Sequence, residues 1–195
     1  HEMFQGCTIL PLQDCYDWHP TPVFGAAIGK KWDAGGSYIQ GMAPMAAGLR
    51  SGAQVPQDRT LTVWSTSSGA GNVDSKYQSG CSTIDTNVRK EAIFSQWTDL
   101  LTYAVPCNYN SLEYFKAFNG HATAKNVITV ANWDVNGGTP GLKQGRGPTR
   151  DGRLKPEIVA DAWELRSPAY YSNSAWDSYS GISFATPQVA GAAAL

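Results

Sequence analysis

The stretch that decides the fold is YSGISFATPQVAG, residues 179–191. It sets Ser183 two residues after a glycine and just before a run of small and apolar residues, which predicts a turn leading into a buried helix. A serine placed there points its hydroxyl away from the core, and the unpaired N–H groups of a helix N-terminus suit an anionic tetrahedral intermediate. Pro187 is expected in the first helical turn, where its N–H is not required. Ser183 is therefore a candidate nucleophile, and the alternative is a serine that only caps the helix.

Outward from this stretch, short β-branched or aromatic runs alternate with stretches of helical spacing. The alternation predicts βα units around a mainly parallel sheet. A helix is expected over residues 87–97, with Asp85 or Thr86 as its cap. Residues 136–156, rich in Gly and Pro, are predicted to form a surface loop. The expected strands cover residues 61–65, 100–105, 127–130 and 158–160.

The composition excludes several classes of protein. The chain has 195 residues, 42% of them hydrophobic, which suits one domain with a sizeable core and excludes a disordered chain. The net charge of -1 argues against nucleic acid as a partner. No apolar stretch approaches the roughly 18 residues of a membrane-spanning helix. The four cysteines are Cys7, Cys15, Cys81 and Cys107. Their spacing is not that of a zinc site. They allow three pairings into two disulfides, and free thiols are equally compatible with the sequence.

Residues 179–191 resemble the nucleophile motif of the subtilisin-like serine proteases (subtilases), Gly-Thr-Ser-x-Ala-x-Pro-x-Val-Ala-Gly. Seven of its eight specified positions match, and Ile182 stands where the family has Thr. The resemblance implies a three-layer α/β/α fold of the subtilisin type and a serine endopeptidase. Three further segments resemble the family in the same chain order. GMAPMA (41–46) is similar to the turn after the helix that carries the histidine, and AKNVITV (124–130) is similar to the strand after the oxyanion loop. GPTRDGRLKPEIVA (147–160) is similar to the segment that leads into the nucleophile motif.

The resemblance also implies a general base and an oxyanion donor. The family's His-Gly-Thr-His-Val-Ala-Gly falls on HPTPVFG, residues 19–25, where four of seven positions agree and His19 matches the base. The strand that ends in Ala-Gly-Asn in the family is similar to LLTYAVPCN, residues 100–108, so Asn108 is the expected oxyanion donor. Asn72 is a competing candidate, but the strand before it comes too early in the chain.

The orienting aspartate of a serine protease triad has no clear counterpart. Asp14 and Asp17 lie too close to His19 to match the family's first strand. We expect residues 1–195 to be a subtilisin-like peptidase domain truncated at both ends, without the first core strand and its aspartate. Two alternatives stay open: another carboxylate fills that role, or the triad is incomplete. The alternative function is therefore a catalytically inactive subtilase-like module that binds peptides or serves a structural role.

The remaining expectations also come from the resemblance. A polypeptide substrate is expected to pair with the strand at Val63, Trp64 and Ser65, a use of sheet edges common in peptide recognition. No cofactor is expected for the chemistry, and structural calcium is possible. Neither nucleic acid nor a membrane is an expected partner. Because subtilases are mostly exported, an extracellular location is expected.

Overall fold

A computed structural model of the chain describes residues 4–5, 8–11, 19–30, 32–33, 38–45, 48–51, 63–67, 75–94, 100–104, 120–140, 145 and 147–195. Within these residues the helices are α1 (Pro20–Ile28), α2 (Ser79–Phe94) and α3 (Ile182–Ala194), with a 3₁₀ turn at Gly120–Thr123. The strands are β1 (Thr8–Pro11), β2 (Trp32–Asp33), β3 (Tyr38–Ile39), β4 (Gly48–Ser51), β5 (Val63–Thr66), β6 (Leu100–Ala104), β7 (Val127–Asp134), β8 (Thr139–Pro140), β9 (Ile158–Asp161), β10 (Leu165–Pro168) and β11 (Trp176–Tyr179).

The central sheet is mainly parallel, as predicted. β5, β6, β7 and β9 lie side by side in that order and run in the same direction. β8 returns antiparallel along the end of β7. Parallel neighbours need a crossover connection, and α2 lies in the chain between β5 and β6. The four predicted strands therefore correspond to β5, β6, β7 and β9.

The two faces of β7 carry different layers of helix, because side chains alternate along a strand. Val127 packs with Cys81 and Ile84 of α2. Val130, three residues on and facing the other way, packs with Phe184 of α3. Helices thus cover both faces of the sheet, which confirms the predicted three-layer α/β/α architecture. None of the helices in the described part of the chain has the length and hydropathy that a bilayer span requires.

A strand lies upstream of His19. β1 runs parallel to β4, with Ile9 opposite Leu49. The aspartates at positions 14 and 17 lie outside the described residues. The domain bounds of 1–195 and the absence of the aspartate-bearing core strand stay predictions.

The start of α2 differs from the prediction. The helix begins at Ser79, eight residues before the predicted start, so Asp85 and Thr86 lie inside it and do not cap it. The predicted start rested on apolar spacing alone, and the first two turns are mostly polar. Cys81 and Ile84, three positions apart, nevertheless extend the buried stripe of the helix back toward its N-terminus.

The predicted surface loop at residues 136–156 is only partly a loop. It contains β8, and its end is buried. The side chain of Lys155 is 2% exposed; its Nζ donates to the carbonyl of Val127 at 2.9 Å and lies 2.5 Å from a carboxylate oxygen of Glu157. The other oxygen of Glu157 accepts the N–H of Thr129 at 2.7 Å. Burial lowers the pKa of Lys155. This end of the segment therefore fastens β9 to β7.

Candidate active site

Ser183 is the second residue of α3, as the motif predicted, and its side chain is half-buried. Gly181 precedes the helix with φ 141°, a backbone conformation that favours glycine. The N–H of Phe184 donates to the carbonyl of Gly181 at 2.9 Å and closes the first turn. That turn lies wholly within the described residues and has no acidic side chain to offset the partial positive charge of the helix N-terminus.

Pro187 lies inside α3, not in its first turn. Ile182 is the first helical residue, so Pro187 is the sixth, and the expectation that its missing N–H has no helical role is wrong. In an α-helix the N–H of that position would donate to the carbonyl four residues earlier, which is the carbonyl of Ser183. The main-chain carbonyl of Ser183, the candidate nucleophile, therefore lacks the N–H donor that a regular helix would give it.

His19 occupies the N-cap position of α1, and its carbonyl accepts the N–H of Val23 at 3.4 Å. Pro20 and Pro22, which depart from the family pattern, are the first and third residues of the helix. Proline is tolerated there because the N–H groups of the first turn have no helical acceptor. The two prolines thus fit a helix that starts at the candidate base.

α1 and α3 pack tightly against each other. A Cβ on Gly191 of α3 would lie 2.6 Å from the carbonyl oxygen of Ala27 and 2.8 Å from Cβ of Met42. Such close contact is possible only because residue 191 has no side chain. At the N-terminal ends of the helices, the rings of His19 and Phe184 lie 5.9 Å apart, centroid to centroid. The predicted base is therefore a neighbour of the residue that follows the predicted nucleophile.

The β10–β11 hairpin supports both helices. Ser167 Oγ donates to the carbonyl of Pro22 in α1 at 2.7 Å. The ring of Tyr179 lies 5.3 Å from that of Phe184 in α3. Burial, with the carboxylate of Asp177 as a further cause, raises the pKa of Tyr179. The tyrosine thus stays protonated at neutral pH beside the start of α3.

The end of β5 also reaches α3. Ser67, the residue after this strand, donates its hydroxyl to the carbonyl of Ser183 at 2.9 Å. Among the predicted substrate-binding residues, Val63 and Ser65 are half-buried in β5, whereas Trp64 is described only as part of the strand backbone. The predicted oxyanion donor Asn108 and its competitor Asn72 lie outside the described residues.

Ser67 is a contact that the sequence reasoning missed. Two signals were present. Ser67 follows the predicted strand at residues 61–65 by two positions, and a proline follows Ser183 by four residues. Neither signal shows that residues 67 and 183 meet, because that contact depends on the packing of α3 on the sheet.

The described part of the chain has no group of three His, Cys, Asp or Glu side chains that could hold a metal ion. Structural calcium therefore stays an expectation from the resemblance. The thiol of Cys81 is buried and lies 3.2 Å from Thr123 Oγ1. Because Cys81 is a thiol, none of the three predicted two-disulfide pairings is formed, and the other three cysteines lie outside the described residues.

Solved structures of proteases share the fold. The prenylagaramide maturation protease PagA matches with a TM-score of 0.72 and 19% identity, over 98% of this chain and 68% of that one. The self-cleaved protease domain of PatA matches with a TM-score of 0.70 and 19% identity, over 98% and 72%. The PatG macrocyclase in complex with peptide matches with a TM-score of 0.63 and 14% identity, over 88% and 50%. At these identities the matches show the fold alone.

The sequence itself provides the evidence for the family. No curated protein matches the chain in sequence. The family model described as the subtilase family matches residues 15–195, which is most of the chain. This match agrees with the fold and with the motif around Ser183, so the chain belongs to the subtilase family and is a subtilisin-like serine protease.

Proposed function

We propose that this protease cleaves peptide bonds through an acyl-enzyme on Ser183, with His19 as general base. One observation carries the proposal: the imidazole of His19 lies 5.9 Å from the ring of Phe184, the residue next to Ser183. The two residues come from opposite ends of the chain, and their helices begin side by side. This placement supports the proposal, because covalent catalysis requires a base near the nucleophilic serine.

The proposed reaction has two halves. The oxygen of Ser183 attacks the scissile carbonyl carbon while His19 accepts the hydroxyl proton. The tetrahedral intermediate collapses, the C–N bond breaks, and His19 returns the proton to the leaving amine. A water molecule then gives a proton to His19 and attacks the acyl carbon. As the bond from this carbon to the Ser183 oxygen breaks, His19 returns the proton to that oxygen, so the acid is released and Ser183 is free again.

The negative charge on the intermediate needs donors. We assign the side chain of Asn108 and the backbone N–H of Ser183 to this role. The N-terminal position of Ser183 in α3 supports the second assignment, since the first N–H groups of a helix have no helical acceptor. Loss of the Asn108 side chain is expected to reduce turnover about 10²–10³-fold.

The substrate is a polypeptide. We propose that it pairs with β5 at Val63, Trp64 and Ser65. β5 ends the order of strands in the described part of the central sheet, and Ser67 links its end to the nucleophile segment. Added strands gain main-chain hydrogen bonds at such edges. The peptide in the PatG macrocyclase structure supports a polypeptide ligand for this fold. By its resemblance to exported subtilases, we propose an extracellular location.

An active-site phosphonate followed by intact-mass analysis tests the proposal. We expect one adduct on the wild-type protein, located on Ser183, and none on Ser183→Ala. Peptide hydrolysis should fall on the order of 10⁶-fold in Ser183→Ala and in His19→Ala, because the two residues act as a unit. Ser180→Ala is the matched control. This exposed serine is three residues away and accepts the N–H of Glu164, so its variant should be labelled like the wild type.

The alternative, an inactive peptide-binding module, predicts a different result. Folded wild-type protein would then acquire no adduct, although it would still bind peptides. An adduct on a serine other than Ser183 would contradict the assignment of the nucleophile while leaving the family unchanged.

A further inference from the structure

The main chain at Ser183 is held from outside its own helix. We propose that Ser67 is a positioning residue for the nucleophile, because its hydroxyl replaces the donor that Pro187 cannot supply. The inference rests on the proposed role of Ser183. It concerns what fixes that residue against the end of β5.

Proline at position 187 has two effects on the carbonyl of Ser183. It removes the N–H that would donate to this oxygen in a regular α-helix, since Pro187 is four residues further along. Its ring also crowds the carbonyl four residues earlier. The first effect leaves a strong acceptor to be satisfied by another group.

Ser67 supplies the other donor. Its Oγ lies 2.9 Å from the carbonyl oxygen of Ser183, across 116 residues of sequence. The carbonyls on either side of Ser183 receive side-chain donors from α3 itself. The carbonyl of Ile182 accepts from Thr186 Oγ1 at 3.4 Å, and the carbonyl of Phe184 accepts from Gln188 Nε2 at 3.0 Å. The carbonyl of Ser183 is thus tied to the sheet, whereas its two neighbours are bonded within the helix.

This bond fixes the distance between two parts of the proposed active site. One part is the reacting serine, and the other is the strand expected to hold the substrate. A displacement of about 1 Å between reacting groups can reduce a rate by 10². Without the hydroxyl of Ser67, the start of α3 is free to shift relative to β5, so the serine is presented less accurately to the bound carbonyl.

The test is a double-mutant cycle between positions 67 and 187. We expect Ser67→Ala to lower kcat and the phosphonate labelling rate about 10–100-fold with little change in KM, as misplacement of the nucleophile predicts. Ser67→Thr keeps a hydroxyl and should recover most of the rate. Pro187→Ala restores an N–H that can donate to Ser183. In that background the further change Ser67→Ala should therefore cost less than about threefold, since the two donors are alternatives.

The control is Thr129→Val, which also removes a hydroxyl that donates to a main-chain carbonyl. Thr129 Oγ1 lies 2.9 Å from the carbonyl oxygen of Ala122, on the side of β7 away from α3. This variant should lose stability in urea unfolding yet keep the wild-type labelling rate on its folded fraction. A structural role alone for Ser67 would make the two variants behave alike, and that result would overturn the inference.

Two further outcomes separate this inference from the proposed function. If Ser183→Ala is not labelled and Ser67→Ala reacts at the wild-type rate, the nucleophile assignment stands and the positioning role is refuted. An equal loss from Ser67→Ala in the wild-type and Pro187→Ala backgrounds also refutes it, because the hydroxyl would then not replace the missing N–H. Labelling of Ser183→Ala itself would remove the proposed function and, with it, this inference.

Discussion

At the scale of single residues, Asp85 shows how a sequence position can mislead. It was expected to cap a helix, but it lies within α2 and joins three parts of the chain. Its carboxylate oxygens accept the N–H groups of Lys125 and Asn126 at 3.0 and 2.7 Å and the hydroxyl of Tyr77 at 2.7 Å. The side chain fixes the segment that leads into β7, because three donors converge on one buried carboxylate.

The hydrogen bond to Asp85 makes the stability depend on pH. This bond, followed by burial, raises the pKa of Tyr77 above 10.0. The unfolded chain therefore loses the tyrosine proton first, and the stability that the bond contributes is complete below pH 10 and is lost as the pH rises through the folded pKa. We expect the difference in unfolding free energy between wild type and Tyr77→Phe to be constant from pH 7 to 9 and to shrink above pH 10, as measured by urea unfolding.

The background Asp85→Ala provides the control for this experiment. Without the carboxylate, the chief cause of the pKa shift is removed. The change Tyr77→Phe should then have an effect that varies much less with pH. A difference between wild type and Tyr77→Phe that has the same value at pH 9 and pH 11 would show that the bond to Asp85 does not contribute as described.

At the scale of elements, the crossing of α1 and α3 determines where the candidate base lies relative to the candidate nucleophile. Gly191 allows the crossing through its lack of a side chain, and Gly41 plays the same part where the turn after α1 folds back on that helix. The N–H of Gly41 donates to the carbonyl of Gly29 at 2.7 Å, and an added Cβ would overlap the backbone of Gly25 and Ile28. Two glycines therefore control the close packing around α1.

Gly191→Ala is expected to push the two helices apart. Overpacking of this kind costs about 1–3 kcal/mol of folding free energy. It should also slow phosphonate labelling of the folded protein, because His19 moves away from Ser183. The control is Ala192→Ser, an exposed position on the same helix, where the change in stability should stay within about 0.5 kcal/mol. Unchanged stability in Gly191→Ala would mean that the helices are not in the close contact described.

The sequence predicts a helix or strand where its residues carry a local pattern of side-chain types. β7 and β9 stand out as β-branched runs, and α3 as a motif with a glycine before it, so the start of each element is predicted correctly, whereas β7 extends four residues beyond the predicted strand. The start of α2 was not found, because polar residues fill its first turns and the helix is stabilised by contacts with the segment before β7. The predicted place of Pro187 is also wrong, and no local pattern reveals the donor that compensates for it, because Ser67 follows a strand that is distant in the sequence.

At the scale of the whole molecule, the candidate site is assembled from both ends of the chain. His19 was identified from a motif of which only four of seven positions agree, and Ser183 from a nearly complete one. That His19 lies beside Phe184, the residue next to Ser183, could be expected only through the family resemblance. No local pattern reports that α1 packs on α3, because this contact is long-range and depends on how the strands that separate the two helices in the chain are ordered in the sheet.

The exposed turn between β7 and β8 gives this arrangement a practical consequence for a protease, because the pieces on either side of a cut there are also joined by long-range contacts. Residues 135–138 are exposed and join two interlocked portions of the chain. β7 pairs with β9, and α1 packs on α3, across that point. All four cysteines of residues 1–195 precede the turn, so no disulfide within these residues links the two pieces.

We expect a variant with a site-specific protease sequence inserted between Gly137 and Gly138 to remain assembled after cleavage. The two fragments should co-elute in size-exclusion chromatography and separate only in denaturant, with the uncut variant as the reference. Fragments that separate without denaturant would contradict this expectation. If they stay together, a backbone scission at this turn leaves His19 on one polypeptide and Ser183 on another, so a nicked molecule would keep its activity by fragment complementation.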